Sequence, residues 1–253
     1  MRRRIVLGLI GAVALSGAAV AARSDRVPKY IADAVGDTSR PKEDTDRDAS
    51  RKPADMLVFA GVKPGQRVVD LMAGTGYFTR LFADAVGPRG RVYAYTPEEF
   101  RKFSKTPFPP SGRAADAAHP NVIFMMQPIN GFYSPEPVDI VWTSQNYHDM
   151  HDDFMGPADI AKVNKAVFNA LKPGGVYIVL DHAAADGSGL RDTNTLHRID
   201  PAAVKSEVTA AGFVFEAESS VLRNPADPRD KLVFDPSIRG HTDQFIYRFR
   251  KPK

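Results

Sequence analysis

The 253-residue chain has no cysteine. This excludes disulfides, thiolate metal sites, a cysteine nucleophile and a lipidated cysteine anchor. It also has little charge of either sign in excess, with 34 Lys+Arg against 30 Asp+Glu and a formal net charge of +4. Arg2, Arg3 and Arg4 precede an apolar run, and without them 31 basic residues face 30 acids. A balance of about +1 gives no reason to propose a nucleic-acid partner.

What is present begins with MRRRIVLGLIGAVALSGAAVAARSDRVP. A basic start, an apolar stretch from Ile5 and small residues at Ala19-Val20-Ala21 or Val20-Ala21-Ala22 are the three parts of a secretory signal peptide, read over residues 1–22. Ile5 to Ala22 nearly reaches bilayer-spanning length, so an uncleaved anchor is the competing reading; the Ala/Gly-rich second half favours cleavage. After cleavage no stable membrane insertion is expected. The consecutive arginines leave a twin-arginine route open beside the general one. An exported product, periplasmic or secreted, is the expectation.

Residues 23–53 are polar and charged and read as an arm rather than core. From residue 54 the pattern becomes that of one domain, 54–253. ADMLVFAG predicts a short helix ended by Gly61. Strand-like runs then alternate with helix-like stretches: RVVDLM, RVYAYT, NVIFMM, VDIVWTS, GVYIVLDH, FVFEAESSVL and QFIYRFR against YFTRLFADAV, ADIAKVNKAVFNAL and PAAVKSEVTAAG. Continuously apolar early strands point to an α/β fold, a mostly parallel sheet with helices on both faces. The last two strands have no helix between them, so an antiparallel pair closes one edge.

At the end of the first strand, Asp70 is followed by Leu71-Met72-Ala73-Gly74-Thr75-Gly76 and a helix from about Tyr77. In an open α/β sheet that is where ligands bind, and glycine lets them approach the backbone. A phosphate-cradling loop requires Lys-Ser or Lys-Thr after the second glycine, and Tyr77-Phe78 stands there. A dinucleotide fingerprint needs a small residue where Thr79 stands and an acid after the next strand. Both readings are disfavoured.

VVDLMAGTGYFTRLFADAVG resembles motif I of the class I S-adenosylmethionine-dependent methyltransferases, and LKPGGVYIVLDH is similar to their Leu-Lys-Pro-Gly-Gly segment before the fifth strand. The resemblance covers Met56 to about Lys251. More narrowly, RKPADMLVFAGVKPG, TSQNYHDMH and DTNTLHRID are similar to a group of exported, uncharacterised predicted methyltransferases. The resemblance implies a Rossmann-like methyltransferase fold with a seven-stranded, mostly parallel sheet and an antiparallel C-terminal strand. It implies S-adenosyl-L-methionine as cofactor, set against Asp70, Met72, Gly74, Gly76, Tyr77, Thr96, Gln127 and Asn146. Three of these depart from the family pattern: Met72 replaces a loop glycine, Thr96 stands where an acid meets the ribose hydroxyls, and Gln127 lies where an acid often meets the adenine.

Residues after the fourth strand, TSQNYHDMHDD, are expected beside the acceptor. The segment lacks the Asn-Pro-Pro-aromatic spelling used on nucleic-acid bases, so a small-molecule acceptor is expected. His148 is the first choice for a general base because imidazole titrates near neutral pH. Tyr147 would flank the substrate or stand as an aromatic in the wall. Asp181 could orient His182 as a second base. His148 and His151, with Asp149 and Asp152 nearby, invite a metal reading, but His-x-x-His without a further ligand assigns no metal. Asp192, Thr193, Asn194, His197 and Arg198 form a polar loop expected to fold over the site, where Arg198 suits an anionic substrate or else pairs with Asp200. Arg47, Arg51 and Lys52 are candidate lid residues from the arm. Two rivals remain: a non-catalytic exported ligand-binding module, and a metal-dependent hydrolase using His148 and His151.

Overall fold

The computed structural model describes residues 27–103, 118–156 and 158–253. The predicted signal peptide lies outside the described residues. Among the described residues no helix is long and apolar enough to cross a membrane.

Three short helices come first, α1 (Lys29–Val35), α2 (Lys42–Thr45) and α3 (Asp48–Arg51). Then follow α4 (Pro53–Ala60), β1 (Arg67–Leu71), α5 (Tyr77–Val86), β2 (Arg91–Pro97), β3 (Val122–Gln127), β4 (Val138–Ser144), α6 (Ile160–Ala170) and β5 (Leu171–His182). The chain ends with α7 (Thr193–Leu196), α8 (Pro201–Ala210), β6 (Val214–Ser219) and β7 (Gln244–Arg250).

The seven strands form one sheet in the order β3-β2-β1-β4-β5-β7-β6. β1 pairs parallel with β2 and β4, whereas β7 runs antiparallel between β5 and β6. The antiparallel strand is thus one place in from the edge, and β6 is the edge. Chain direction across the sheet reverses at β1, and the crevice beyond the carboxyl ends of β1 and β4 is the ligand position of such folds.

Strand alternation divides the core between the two faces. Val68, Val92, Ile140, Trp142 and Ile178 pack with Leu57, Phe78, Leu81 and Phe82 from α4 and α5. Val69, Tyr93, Val141, Tyr177 and Val179 pack on the other face with Val163, Val167, Val204 and Val208 from α6 and α8. Each fully buried large side chain contributes about 1.5–3 kcal/mol, so both faces are strongly held and the strand ends are fixed for the site. Capping sets the helix starts: Asp159 accepts from the Lys162 amide at 3.0 Å, and Asp200 from the Ala202 amide at 2.8 Å ahead of Pro201.

The stretch read as a polar arm is folded onto the domain. Ile31 and Ala34 of α1 enter the core cluster, and fully buried Asp44 takes Arg80 Nη2 at 2.6 Å and Arg47 Nη2 at 2.7 Å. Arg40 grips Asp48 with two bonds of 2.8 Å. Its composition is polar because ion pairs, rather than an apolar stripe, fasten much of it.

Candidate functional site

A cleft of about 720 Å³ opens beyond the carboxyl ends of β1 and β4. One wall is the loop after β1. There the backbone turns left-handed at Met72 (φ 66°), Gly74 (φ 57°) and Gly76 (φ 82°). A Cβ added at Gly74 would meet no protein atom within 4 Å, so the loop leaves open space over its backbone. Methionine in this conformation costs about 1–2 kcal/mol, and such strain collects at functional turns. The turn is held by its neighbours: the Met72 and Ala73 amides donate to Tyr95 O at 2.9 and 3.0 Å, and Asn146 Nδ2 donates to Met72 O at 3.0 Å.

Behind the loop, burial raises the Asp70 carboxyl to about 6, against the opposing Thr79 hydroxyl, which donates to it at 2.6 Å. Arg51 from α3 reaches over the loop. Its guanidinium lies 4.9 Å from the Tyr77 ring and donates to Gln145 Oε1 at 2.6 Å. Among the described residues it makes no ion pair, and burial, then Arg47, push it down to about 10. Arg47 stacks on the same ring at 4.9 Å. Phe100, Phe103 and Phe154 line a further stretch of wall, with ring centroids of 5.0 to 5.3 Å from Phe154 to its two partners.

The opposite wall is ionic. His148 begins a 3-10 turn, His148–His151, separated by three residues from the end of β4. Its Nδ1 sits 2.8 Å from Asp181 Oδ1, and the His148 amide donates to Asp181 Oδ2 at 2.8 Å. Its Nε2 lies 3.2 Å from His197 Nδ1 and 3.3 Å from Asp149 Oδ1. Burial alone would lower His148, but Asp181 and Asp149 outweigh it and raise it to about 10. His182, half-buried beside it with Nδ1 2.8 Å from Thr242 Oγ1, is pushed down to about 3 by desolvation. One imidazole is therefore charged at neutral pH and the other is neutral. Neither is poised near 7 as the expected general base would be.

The structure brings Asp70, Met72, Gly74, Tyr77, Asn146, His148 and His182 to the cleft, joined by Arg47, Arg51, Asn194 and His197. The remaining sequence candidates sit elsewhere. Gly76 caps α5 behind the rim. Thr96 is buried and does not line the cleft. Gln127 does not line it either, and its carbonyl accepts from Tyr95 OH at 3.0 Å. Tyr147 is fully buried, its hydroxyl donating to Glu207 Oε2 at 2.9 Å and accepting from Asn164 Nδ2 at 2.8 Å, so it is a core residue of the α6/α8 face. Asp181 is fully buried behind His148, which it orients rather than His182.

His151 turns away to Glu207 at 3.2 Å, which removes the His148/His151 pair. Arg198 is fully buried against Asp227 at 2.8 Å and two backbone carbonyls, so it pairs neither with Asp200 nor with a substrate. Lys52 does not reach the cleft. The phenylalanine wall and Phe234 were missed by sequence reasoning; their one signal was large aromatics in otherwise polar loop segments.

Sheet order, the antiparallel β7 and a left-handed loop after β1 define the class I S-adenosylmethionine-dependent methyltransferase fold. Solved structures agree. A SAM-dependent methyltransferase from Aquifex aeolicus is 17% identical with a TM-score of 0.56, covering 84% of this chain and 98% of its own. An arsenic(III) S-adenosylmethionine methyltransferase from Chlamydomonas reinhardtii is 18% identical with a TM-score of 0.55, covering 89% and 74%. The [4+2]-cyclase SpnF is 18% identical with a TM-score of 0.57, covering 79% and 82%. At these identities the likeness shows the fold. Curated relatives match over a short segment: the ubiquinone/menaquinone biosynthesis C-methyltransferase UbiE of Ectopseudomonas mendocina is 53% identical over 36 residues, and that of Burkholderia vietnamiensis 51% over 37. Those segments span 14% and 15% of the relatives' lengths. No protein-family model matches the chain.

Proposed function

We propose that the cleft binds S-adenosyl-L-methionine and that the protein transfers its methyl group to a small-molecule acceptor after export. One observation carries this: a left-handed glycine loop at the sheet's switch point, open at Gly74, faced by a half-buried arginine that has no carboxylate partner among the described residues. A cation partly withdrawn from water without an anion is disfavoured, and a ligand carboxylate would offset that.

The residues fit the cofactor at its amino-acid end. Arg51 would take the carboxylate, and the Met72–Gly76 loop would pass close beneath. The phenylalanines at 100, 103 and 154 offer stacking surface for a purine. At the ribose end the fit differs from the family pattern, because Glu98 is exposed and Glu99 is committed to the Ile129 amide at 3.0 Å. When bound, the cofactor supplies an activated methyl on a sulfonium. The chain's share is then to align the acceptor and exclude water, since neither cleft imidazole is set to exchange a proton near pH 7. His148 is fixed in orientation by Asp181 at the acceptor side of the cleft. His182 presents a neutral ring.

Calorimetric titration of S-adenosylmethionine and S-adenosylhomocysteine into the full chain, beside Arg51→Met, tests the reading. Micromolar binding that weakens about tenfold or more in the variant is expected, the scale of about 1.5–3 kcal/mol for a charged hydrogen bond. No binding at millimolar ligand by folded protein would overturn it. The second reading, an exported non-catalytic ligand-binding module, is favoured by Thr96 being buried away from the cleft with no acid in its place. The [4+2]-cyclase on the same fold shows that this architecture does not dictate methyl transfer.

A further inference from the structure

The ionic wall holds more negative charge than its own groups answer. Asp149, Asp152 and Asp181 converge on His148 and His197, and among the described residues no lysine or arginine pairs with any of the three carboxylates. Asp152 is 1% exposed, borders the cleft, and its Oδ1 has no hydrogen-bond partner. An unpartnered buried carboxylate oxygen calls for a cation.

Three atoms already stand in position for one. His148 Nε2, His197 Nδ1 and Asp149 Oδ1 form a triangle with sides of 3.2, 3.3 and 3.6 Å. A tetrahedral zinc with bonds of about 2.0–2.1 Å requires its ligand atoms about 3.3–3.4 Å apart. Charge-assisted hydrogen bonds instead close to about 2.7–2.9 Å, as the His148–Asp181 contact of 2.8 Å does. The triangle has the dimensions of a metal face rather than of a hydrogen-bonded cluster.

The surroundings are those of a built site. Asp181 binds His148 Nδ1, which leaves Nε2 as the ligating nitrogen and makes the carboxylate–histidine–metal relay that orients metal-binding imidazoles. Phe234 packs on the His197 ring at 5.2 Å, restricting its rotation. Asp152 Oδ2 lies 3.8 Å from His197 Nδ1, close enough to add its charge behind the three ligands.

We propose that His148, Asp149 and His197 bind a divalent cation of the zinc class, with Asp181 positioning His148 and Asp152 supplying further negative charge. The ligand residues all line the cleft, so the remaining coordination position is filled from the cleft, by water or by an oxygen or nitrogen of a bound small molecule. Two histidines and one carboxylate are a donor set suited to zinc, cobalt or nickel rather than to calcium or magnesium. The site stands on its own geometry and does not require the methyl-transfer reading.

The test uses the full chain stripped with chelator and dialysed, then titrated separately with Zn²⁺ by calorimetry and with Co²⁺ by visible absorption. One equivalent should bind, with the intense visible bands of four-coordinate cobalt. His197→Ala and Asp149→Asn, each checked for its thermal melt, should bind at least 100-fold more weakly, while His151→Ala should bind as the parent does. Folded parent protein that binds less than 0.1 equivalent at about 100 µM metal, or ligand variants that bind as tightly as the parent, would overturn the site.

Discussion

The two walls of the cleft are built in opposite ways. The loop wall is made of backbone, open over Gly74, with one arginine short of an anion. The histidine wall is made of ionisable side chains, with three carboxylates about two imidazoles and one carboxylate oxygen, Asp152 Oδ1, left without a partner. A single fold thus leaves complementary deficits about one cleft. Each deficit indicates a ligand of the opposite sign, and neither wall satisfies the other.

The largest effect expected sharpens that contrast by removing a buried charge that is fully answered. Arg198→Ala leaves Asp227 buried without its partner, beneath the segment that carries His197. A loss of about 3–5 kcal/mol in denaturant unfolding is expected. A loss under about 1 kcal/mol would show that the pair does not hold this wall.

Next in size is Asp70, on the loop wall. Its folded carboxyl is raised to about 6 from 3.8, so folding favours the protonated form. That stabilisation is complete below about pH 4 and is lost as pH rises through 6. Asp70→Asn should remove the loss, gaining about 3 kcal/mol on the parent between pH 4 and 6.5, roughly two pKa units at about 1.36 kcal/mol each. Parallel pH profiles would place Asp70 in an ordinary solvated setting.

Gly74→Asp puts a carboxylate into the open space of the loop. S-adenosylmethionine affinity should fall at least 100-fold, about 2.7 kcal/mol, with a much smaller change in thermal stability. Unchanged affinity would separate this loop from cofactor binding. The smallest effect is Tyr147→Phe, which lies in neither wall. It should cost about 1–2 kcal/mol of stability through Glu207 and Asn164, and leave cofactor affinity within twofold. A large drop in affinity with little change in stability would return Tyr147 to the site.

The sheet was legible because its strands are buried on both faces and spell continuous apolar runs. The loop was legible because positive φ concentrates at Gly74 and Gly76. Met72 kept the same backbone turn without the glycine that advertises it. The arm was misjudged since Asp44, Arg80, Arg40 and Asp48 fasten it by charge, a pattern without period. The histidine wall was half legible. His148 lay at a strand end, but His197 arrives from 49 residues further on, and His151, three residues away, turns to Glu207. Sequence proximity suggested the wrong pair because a 3-10 turn sends residues three apart to the same side only when nothing else draws one away.

In the proposed function the loop wall holds S-adenosylmethionine by its amino-acid end. A crystal structure of the full chain grown with S-adenosylhomocysteine tests it most directly. The ligand carboxylate is expected within hydrogen-bond distance of Arg51, with the chain of its amino acid passing over Gly74. Ligand bound elsewhere, or a cleft without ligand at saturating concentration, would contradict it.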